Sequence, residues 1–198
     1  MFTGIITAIG RVESLEQIGG DVRLRISSGK LDLDDVRVGD SIATNGVCLT
    51  AVELLEDGYV ADVSAETLRK TTVGLWGEGT YVNLEKAMLA TDRFGGHIVS
   101  GHVDGIGRVL ERLQEARAEV FWIEAPVNLA KYIAQKGSIT VDGTSLTVND
   151  VDGARFALTI VPHTIEETVI ADYQVGHKVN IEVDLVARYL EKLVEKVN

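Results

Sequence analysis

An all-β chain, built as two similar barrels in tandem with a helix at the C-terminus, is the fold the sequence predicts, on three observations. Displaced by 97 residues, the chain matches itself in four separate blocks without a gap. Each half consists of short β-branched runs parted by Gly, Asp and Asn turns, the mark of closely spaced strands. Only after the second half does the apolar spacing become helical.

The displacement pairs MFTGIITAIGRV (1–12) with IVSGHVDGIGRV (98–109) and DSIATNGVCLT (40–50) with GSITVDGTSLT (137–147). It also pairs Asp62–Thr67 with Thr159–Thr164, and GTYVNLE (79–85) with GHKVNIE (176–182). Four blocks in one register point to duplication of a unit of about 90 residues, a size that folds alone. The chain is accordingly divided into a first unit, 1–97, a second, 98–187, and a terminal helix, 188–198, with Gly95-Gly96 as a flexible joint between the units.

In the first unit, strands are expected at Val22–Ile26, Ser41–Thr44, Tyr59–Val63 and Tyr81–Leu84. Asn45-Gly46 and Asp142-Gly143 mark hairpin turns, whose two central positions need positive φ. Leu31–Val36 and Val127–Gln135 mix polar and apolar residues and are expected to form one short helix per unit, with Pro126 suited to open the second. Gly105-Ile106-Gly107 neither extends to GxGxxG nor opens a helix, and is read as a bend in a strand. Val186, Leu190, Leu193 and Val197 fall on one helical face, with Glu191, Lys192, Glu195 and Lys196 outside it. Two readings stand for that stripe: packing on its own unit, or a coiled-coil-like seam between subunits, which is preferred here.

Composition narrows the function classes. With 45% hydrophobic and 25% charged residues, the chain has an ordinary globular balance. A net charge of −11 opposes binding to nucleic acid or to an anionic membrane, both of which need a concentrated positive surface. The single cysteine, Cys48, excludes an intrachain disulfide and a cysteine-based zinc cluster, and suits a reducing compartment. No basic leader region precedes the first apolar stretch and no apolar run approaches the ~20 residues of a membrane span, so a cytoplasmic protein is expected. Without a Walker-type loop or an Arg cluster, no nucleotide cofactor is expected.

The opening MFTGI, the blocks NGVCLT (45–50) and DGTSLT (142–147), and FGGHIVSGHVDG (94–105), in that layout over the whole chain, resemble riboflavin synthase of the alpha-subunit type. The resemblance implies two six-stranded Greek-key barrels, a C-terminal helix and a homotrimer. It implies an enzyme that needs no cofactor and passes a four-carbon unit between two molecules of 6,7-dimethyl-8-ribityllumazine, one bound by each barrel. Lumazine synthase enters as a further partner on the same ground.

Motif by motif, the resemblance assigns substrate-binding positions. On the first barrel it gives Gly4, Ile5 and Ile6, then Cys48, Leu49 and Thr50, then the run Asp62, Val63, Ser64, Ala65, Glu66 and Thr67. On the second it gives Gly101, His102 and Val103, then Lys136, then Ser145, Leu146 and Thr147, then the run Thr159, Ile160, Val161, Pro162, His163 and Thr164. The working site is expected between the first barrel of one subunit and the second of a neighbour. Thr7 and Ala8 stand where the family's opening commonly carries acidic residues, a difference in local surface charge.

Two similar pockets facing each other would turn an encounter of two substrates into an effectively intramolecular one. They must differ, because one lumazine gives carbon and the other accepts it, so the informative positions are those where the repeats disagree. Cys48 stands opposite Ser145. A free thiol alone is commonly a small buried hydrophobe. The resemblance turns it toward chemistry: its thiolate adds to ring carbon C7 of the acceptor, or the residue orders a hydroxide that does. His102 stands opposite Ile5 and is the candidate to help remove the proton from the donor's 7-methyl group, against the plainer reading of a ring satisfied by a backbone carbonyl. A metal site shared with His97 is not expected, since five residues apart on a strand puts the rings on opposite faces.

Lys136 stands opposite Gly39, where a cation near a lumazine carbonyl would stabilise developing negative charge. Asp184 stands opposite Ala87 and is either a charge partner near the site or a solvated strand-end carboxylate. The family likeness places Ser41, Ser145 and Asp184 with Cys48 and His102 among the catalytic groups. The hydroxyls of Ser41, Thr50, Ser64, Thr67, Thr147 and Thr164 suit a ribityl chain, which carries no phosphate. Two rivals remain: a non-catalytic lumazine or flavin carrier of the antenna type on the same barrels, and a flavin-reductase-type barrel, for which a chain already used twice leaves no room.

Overall fold

The structure, a computed structural model, is described for residues 1–194. In the first half β1 (Ala8–Ile18), β2 (Asp21–Ser27), β3 (Ser41–Thr44), β4 (Val47–Leu55), β5 (Gly58–Val63) and β6 (Tyr81–Lys86) close into a barrel in the order β1-β2-β5-β4-β3-β6. In the second, β7 (Gly105–Glu115), β8 (Ala118–Glu124), β9 (Ser138–Val141), β10 (Thr144–Asp152), β11 (Arg155–Ile160) and β12 (Lys178–Val183) close in the equivalent order. All these pairings are antiparallel. Every strand of the second barrel begins 97 residues after its counterpart in the first.

Alternation drives the closure. On β2, Val22, Leu24 and Ile26 are buried while Asp21, Arg23 and Arg25 are exposed, so one face fills the barrel and the other meets water. Burying each such aliphatic side chain contributes roughly 1.5–3 kcal/mol. Each barrel has its own core, centred on Tyr59, Leu24 and Leu84 in the first and on Phe121, Phe156 and Tyr173 in the second. Bulges fall at matching points, Val12/Ser14 with Val109/Glu111 and Ala51/Glu53 with Val148/Asp150, where added bend helps the short sheets close.

A pseudo-twofold axis joins the barrels at the two hairpin turns. Asn45 and Gly46, like Asp142 and Gly143, have positive φ, as the sequence requires of such turns. The turns meet back to back: a Cβ added to Gly46 would lie 2.6 Å from Gly143 N, so no larger residue fits. Asn83 Nδ2 donates to Asp142 O (2.9 Å) and Asn180 Nδ2 donates to Asn45 O (2.8 Å), which locks the two barrels across the axis.

After β5 and β11 come two short helices, α1 (Ala65–Lys70) and α2 (Pro162–Glu166); the Ser64 hydroxyl caps the first by accepting from Thr67 N. The terminal α3 (Leu185–Val194) has no buried residue, and Val186, Tyr189, Leu190, Leu193 and Val194 are exposed. Its polar side is held down, since Glu191 accepts from Lys131 and Tyr132 of the second barrel. Val197, Glu195 and Lys196 lie outside the described residues.

One local expectation is corrected. Val127–Tyr132 does form a short 3-10 helix after Pro126, but Leu31–Val36 forms turns, because Asp32 Oδ1 accepts from Asp34 N and diverts the backbone. Gly105-Ile106-Gly107 lies within a strand, β7, and at Gly107 the Ile181 side chain occupies the space a side chain would need. At the boundary, Gly95-Gly96 is exposed and passes close to the N-terminal segment, where a Cβ on Gly96 would meet Thr3 O at 2.2 Å.

Candidate active site

Two segments outside the barrels build the site, and they cross. The N-terminal segment before β1 and the connection before β7 lie side by side, bonded between Phe2 and Val99 in both directions. Gly4 O accepts from Ser145 N (2.8 Å), so the N-terminal segment covers β10 of the second barrel. Gly101 O accepts from Cys48 N (2.8 Å), so the connection covers β4 of the first. This corrects the expected grouping: Gly4–Ile6 stands with Ser145, and Gly101–Val103 stands with Cys48.

Contact at both crossings is close enough to demand glycine. Gly101 has φ +79°, and a Cβ there would lie 2.7 Å from Cys48 Cβ; Gly4 has φ +76°, with Ser145 Cβ at 2.6 Å from the same added atom. On β4 the side chains alternate, so Leu49 enters the barrel core while half-buried Cys48 and exposed Thr50 lie on the outer face. Cys48 sits against Phe2, Ala43 and Val99. On β10, half-buried Ser145 and exposed Thr147 take the equivalent positions, and Leu146 packs toward the second core. Both sites therefore lie outside the barrels, under the crossing segments.

Each segment is gripped by a buried glutamate. Glu85 Oε1 accepts from Thr3 N and Thr3 Oγ1 (both 2.7 Å) and its Oε2 from Gly4 N (2.9 Å). Glu182 Oε1 accepts from Ser100 N (2.6 Å) and Ser100 Oγ (2.7 Å) and its Oε2 from Gly101 N (2.9 Å). Burial pushes both carboxyls above the usual range, and the donors pull them partly back. Clefts open beside both grips, about 570 Å³ with Thr3, Ile5 and Glu85, and about 450 Å³ with Ser100, His102 and Glu182 under Arg188 and Tyr189 of α3.

The Ser145 site contains a histidine that the offset comparison passes over. His97 Nδ1 shares a hydrogen bond with Ser145 Oγ (2.7 Å) and Nε2 shares one with Thr140 Oγ1 (3.2 Å). Burial lowers its pKa, opposed by the nearby Asp184 carboxylate, so the ring is held neutral. Asp184 also caps α3 by accepting from Val186 N (2.9 Å). His97 and His102 lie outside any strand and belong to different sites. The position 97 residues before His97 precedes the chain, so repeat comparison has nothing to set against it. Glu85 and Glu182 fell inside a matched block, and only their identity as acids in a buried strand position marked them.

The remaining positions divide by exposure. Val63 and Ile160 face the cores, leaving only their backbone to a ligand. Asp62 is paired with Arg23, and Glu66 with Arg69, at the surface. Ser64, Thr159, Val161 and His163 are exposed; Ala65, Thr67, Pro162 and Thr164 are half-buried around the starts of α1 and α2. Ser41 pairs with Thr50 across β3 and β4, on the same patch as Cys48. Lys136 is exposed and holds φ +66°, a left-handed conformation its counterpart Gly39 adopts freely.

Paired barrels carrying matched surface sites define a class, and the Lumazine binding domain model matches the chain twice, over residues 3–87 and 100–184. Riboflavin synthase of Photobacterium phosphoreum is 56% identical over 98% of this chain and 89% of that protein, and riboflavin synthase of Photobacterium leiognathi is 51% identical over the same shares. The chain therefore belongs to the riboflavin synthase family, with one lumazine binding domain in each half. A crystal structure of LumP complexed with riboflavin has a TM-score of 0.86 over 92% of this chain and 99% of that one at 23% identity, a likeness of fold alone. The carrier reading is not favoured by these identities.

Proposed function

We propose that the chain is a riboflavin synthase, converting two molecules of 6,7-dimethyl-8-ribityllumazine into riboflavin and 5-amino-6-(D-ribitylamino)uracil by four-carbon transfer. One observation carries the reading: two equivalent crossings on the outer faces of the barrels match in their backbone bonds and differ in chemistry, Cys48 bonded to Gly101, the neighbour of His102, in one and Ser145 bonded to Gly4 and to the His97 ring in the other. Similar pockets suit identical substrates, and unlike groups let one substrate donate while the other accepts. Two substrates balance two products, so the transfer calls for no oxidant or reductant.

In this reading Cys48 adds as thiolate to C7 of the acceptor lumazine or orders a hydroxide that does so. The proton leaving the donor's 7-methyl group passes to a histidine; His97, held neutral and bonded to Ser145, is in the accepting form, and His102 serves the Cys48 pocket. Ser41 and the exposed threonines bind the ribityl chain. Lys136 and Asp184 supply charge at the ring's polar edge.

The barrels of units 1–97 and 98–187 each carry one lumazine pocket, walled in part by the segment that belongs to the other unit, and 188–198 joins subunits into a homotrimer that sets a first-barrel pocket against a neighbour's second-barrel pocket. The exposed apolar face of α3 and the exposed Lys136 support that arrangement. A cytoplasmic location and association with lumazine synthase complete the proposal on the family resemblance alone; among the described residues no helix is long and apolar enough to cross a membrane. Purified protein incubated with the lumazine alone should form riboflavin, seen as a shift in absorbance and fluorescence. A requirement for added metal or nucleotide would sink the reading.

A further inference from the structure

We propose that Glu182 and Glu85 are positioning residues that act across the barrels, each shaping the pocket carried by the barrel to which it does not belong; this rests on the two-pocket reading above. Glu182 lies on β12 of the second barrel, yet the Ser100–Gly101 segment it grips covers Cys48 on β4 of the first. Glu85 lies on β6 of the first barrel, yet its Thr3–Gly4 segment covers Ser145 on β10 of the second.

The grip leads directly to the reacting groups. Glu182 takes three donors, and the Ser100 hydroxyl it holds accepts in turn from His102 N (3.2 Å). One residue further, Gly101 O receives Cys48 N at 2.8 Å. A single carboxylate thus fixes the backbone of His102 and the cover over Cys48 together. An acceptor-only group is needed, because the three facing groups are donors, and a carboxylate is the side chain that offers two acceptor oxygens and no hydrogen. On the other side Thr3 Oγ1, held by Glu85, accepts from Ile5 N (3.2 Å), and Gly4 O receives Ser145 N. Neither pocket is complete within one barrel, so a change at the mouth of one barrel is felt at the site on the other.

Full-length Glu182→Gln and Glu85→Gln separate this from a general loss of packing. Glutamine keeps the shape but puts an NH₂ group where an oxygen accepted. Cys48 is the only cysteine, so its alkylation by iodoacetamide reports its cover without any turnover. Glu182→Gln should speed alkylation by about fivefold or more while Glu85→Gln leaves it within about twofold, on the scale of one charge-assisted hydrogen bond. With lumazine, Glu182→Gln should lower kcat by about tenfold with a smaller change in KM, as loss of geometry at a reacting group does. Equal alkylation rates in the two variants, or a faster rate in Glu85→Gln, would overturn the crossed arrangement. Should Glu182→Gln fail to fold, Ser100→Ala removes only the hydroxyl between Glu182 and His102. It should speed alkylation by about threefold or more, and a rate within about twofold of the parent overturns the proposal. Alkylation that follows the crossed pattern in a protein that makes no riboflavin would refute the proposed function and leave this inference standing.

Discussion

Asp142 is the buried acid at the pseudo-twofold axis, and replacing it by the residue its counterpart uses has a calculable effect. It is 2% exposed, holds φ 42°, and accepts from Asn180 N (2.8 Å) and Tyr173 Oη (2.5 Å). Asn45, in the equivalent turn, accepts from Asn83 N through a neutral amide. Burial raises the Asp142 pKa to about 7 from 3.8, against the pull of those two donors. A raised carboxyl pKa means that the folded chain binds the proton more tightly than the unfolded chain. The stability this group contributes is complete below its unfolded pKa and is lost as pH rises through the folded one. A shift of roughly three units corresponds to roughly 4 kcal/mol as an upper value. Asp142→Asn fits the same turn and keeps an acceptor for Asn180 N. Urea unfolding of both proteins should show near-equal stability at about pH 4 and a lead for the variant that grows to as much as roughly 4 kcal/mol by about pH 8. Desolvation lowers the pKa values of half-buried His97 and of His177, but both rings are present in both proteins, so their effect cancels in the difference. A gap that stays constant with pH, or narrows as pH rises, would refute the reasoning.

Cys48→Ser, which copies Ser145 into the first pocket, should melt within about 3 °C of the parent, as a half-buried near-isosteric change does, and lose most turnover; full activity would make Cys48 a packing residue. The isolated first unit, 1–97, keeps the Thr3–Ile6 segment but lacks Gly101–Val103. Because the two segments make equivalent bonds, two copies should exchange segments and run as a dimer in light scattering, and a stable monomer would contradict this. Deleting the residues after Arg188 leaves its pairing with Asp104 in place and removes Leu190, Leu193 and Val194. The product should be folded barrels of lower oligomeric state, and an unchanged assembly would place the subunit contacts elsewhere.

Much of the fold was legible because the duplication repeats every signal. Strand positions, bulges and both Asn/Asp-Gly turns recur at the same offset, so a weak pattern in one half is reinforced by the other. What the chain order hides is which barrel a segment covers. Gly4 precedes Cys48 within one repeat, yet it bonds to Ser145, since both crossings make the same hydrogen bonds and only the path of the connection decides between them. His97 was unreadable for a related reason, its counterpart position falling before residue 1. The turn at Leu31–Val36 rests on local competition, where the Asp32 side chain holds a turn in a run whose mix of polar and apolar residues suggested a helix.

The central claim is a dismutation between two unlike pockets, and its most direct test is the mass balance of a complete reaction. Lumazine consumed, riboflavin formed and ribitylaminouracil formed should be counted together by chromatography, with purified protein and no added cofactor. The account predicts two lumazines consumed for each riboflavin, with one pyrimidine released alongside. Riboflavin formed without the matching pyrimidine, or lumazine bound and returned unchanged, would contradict it.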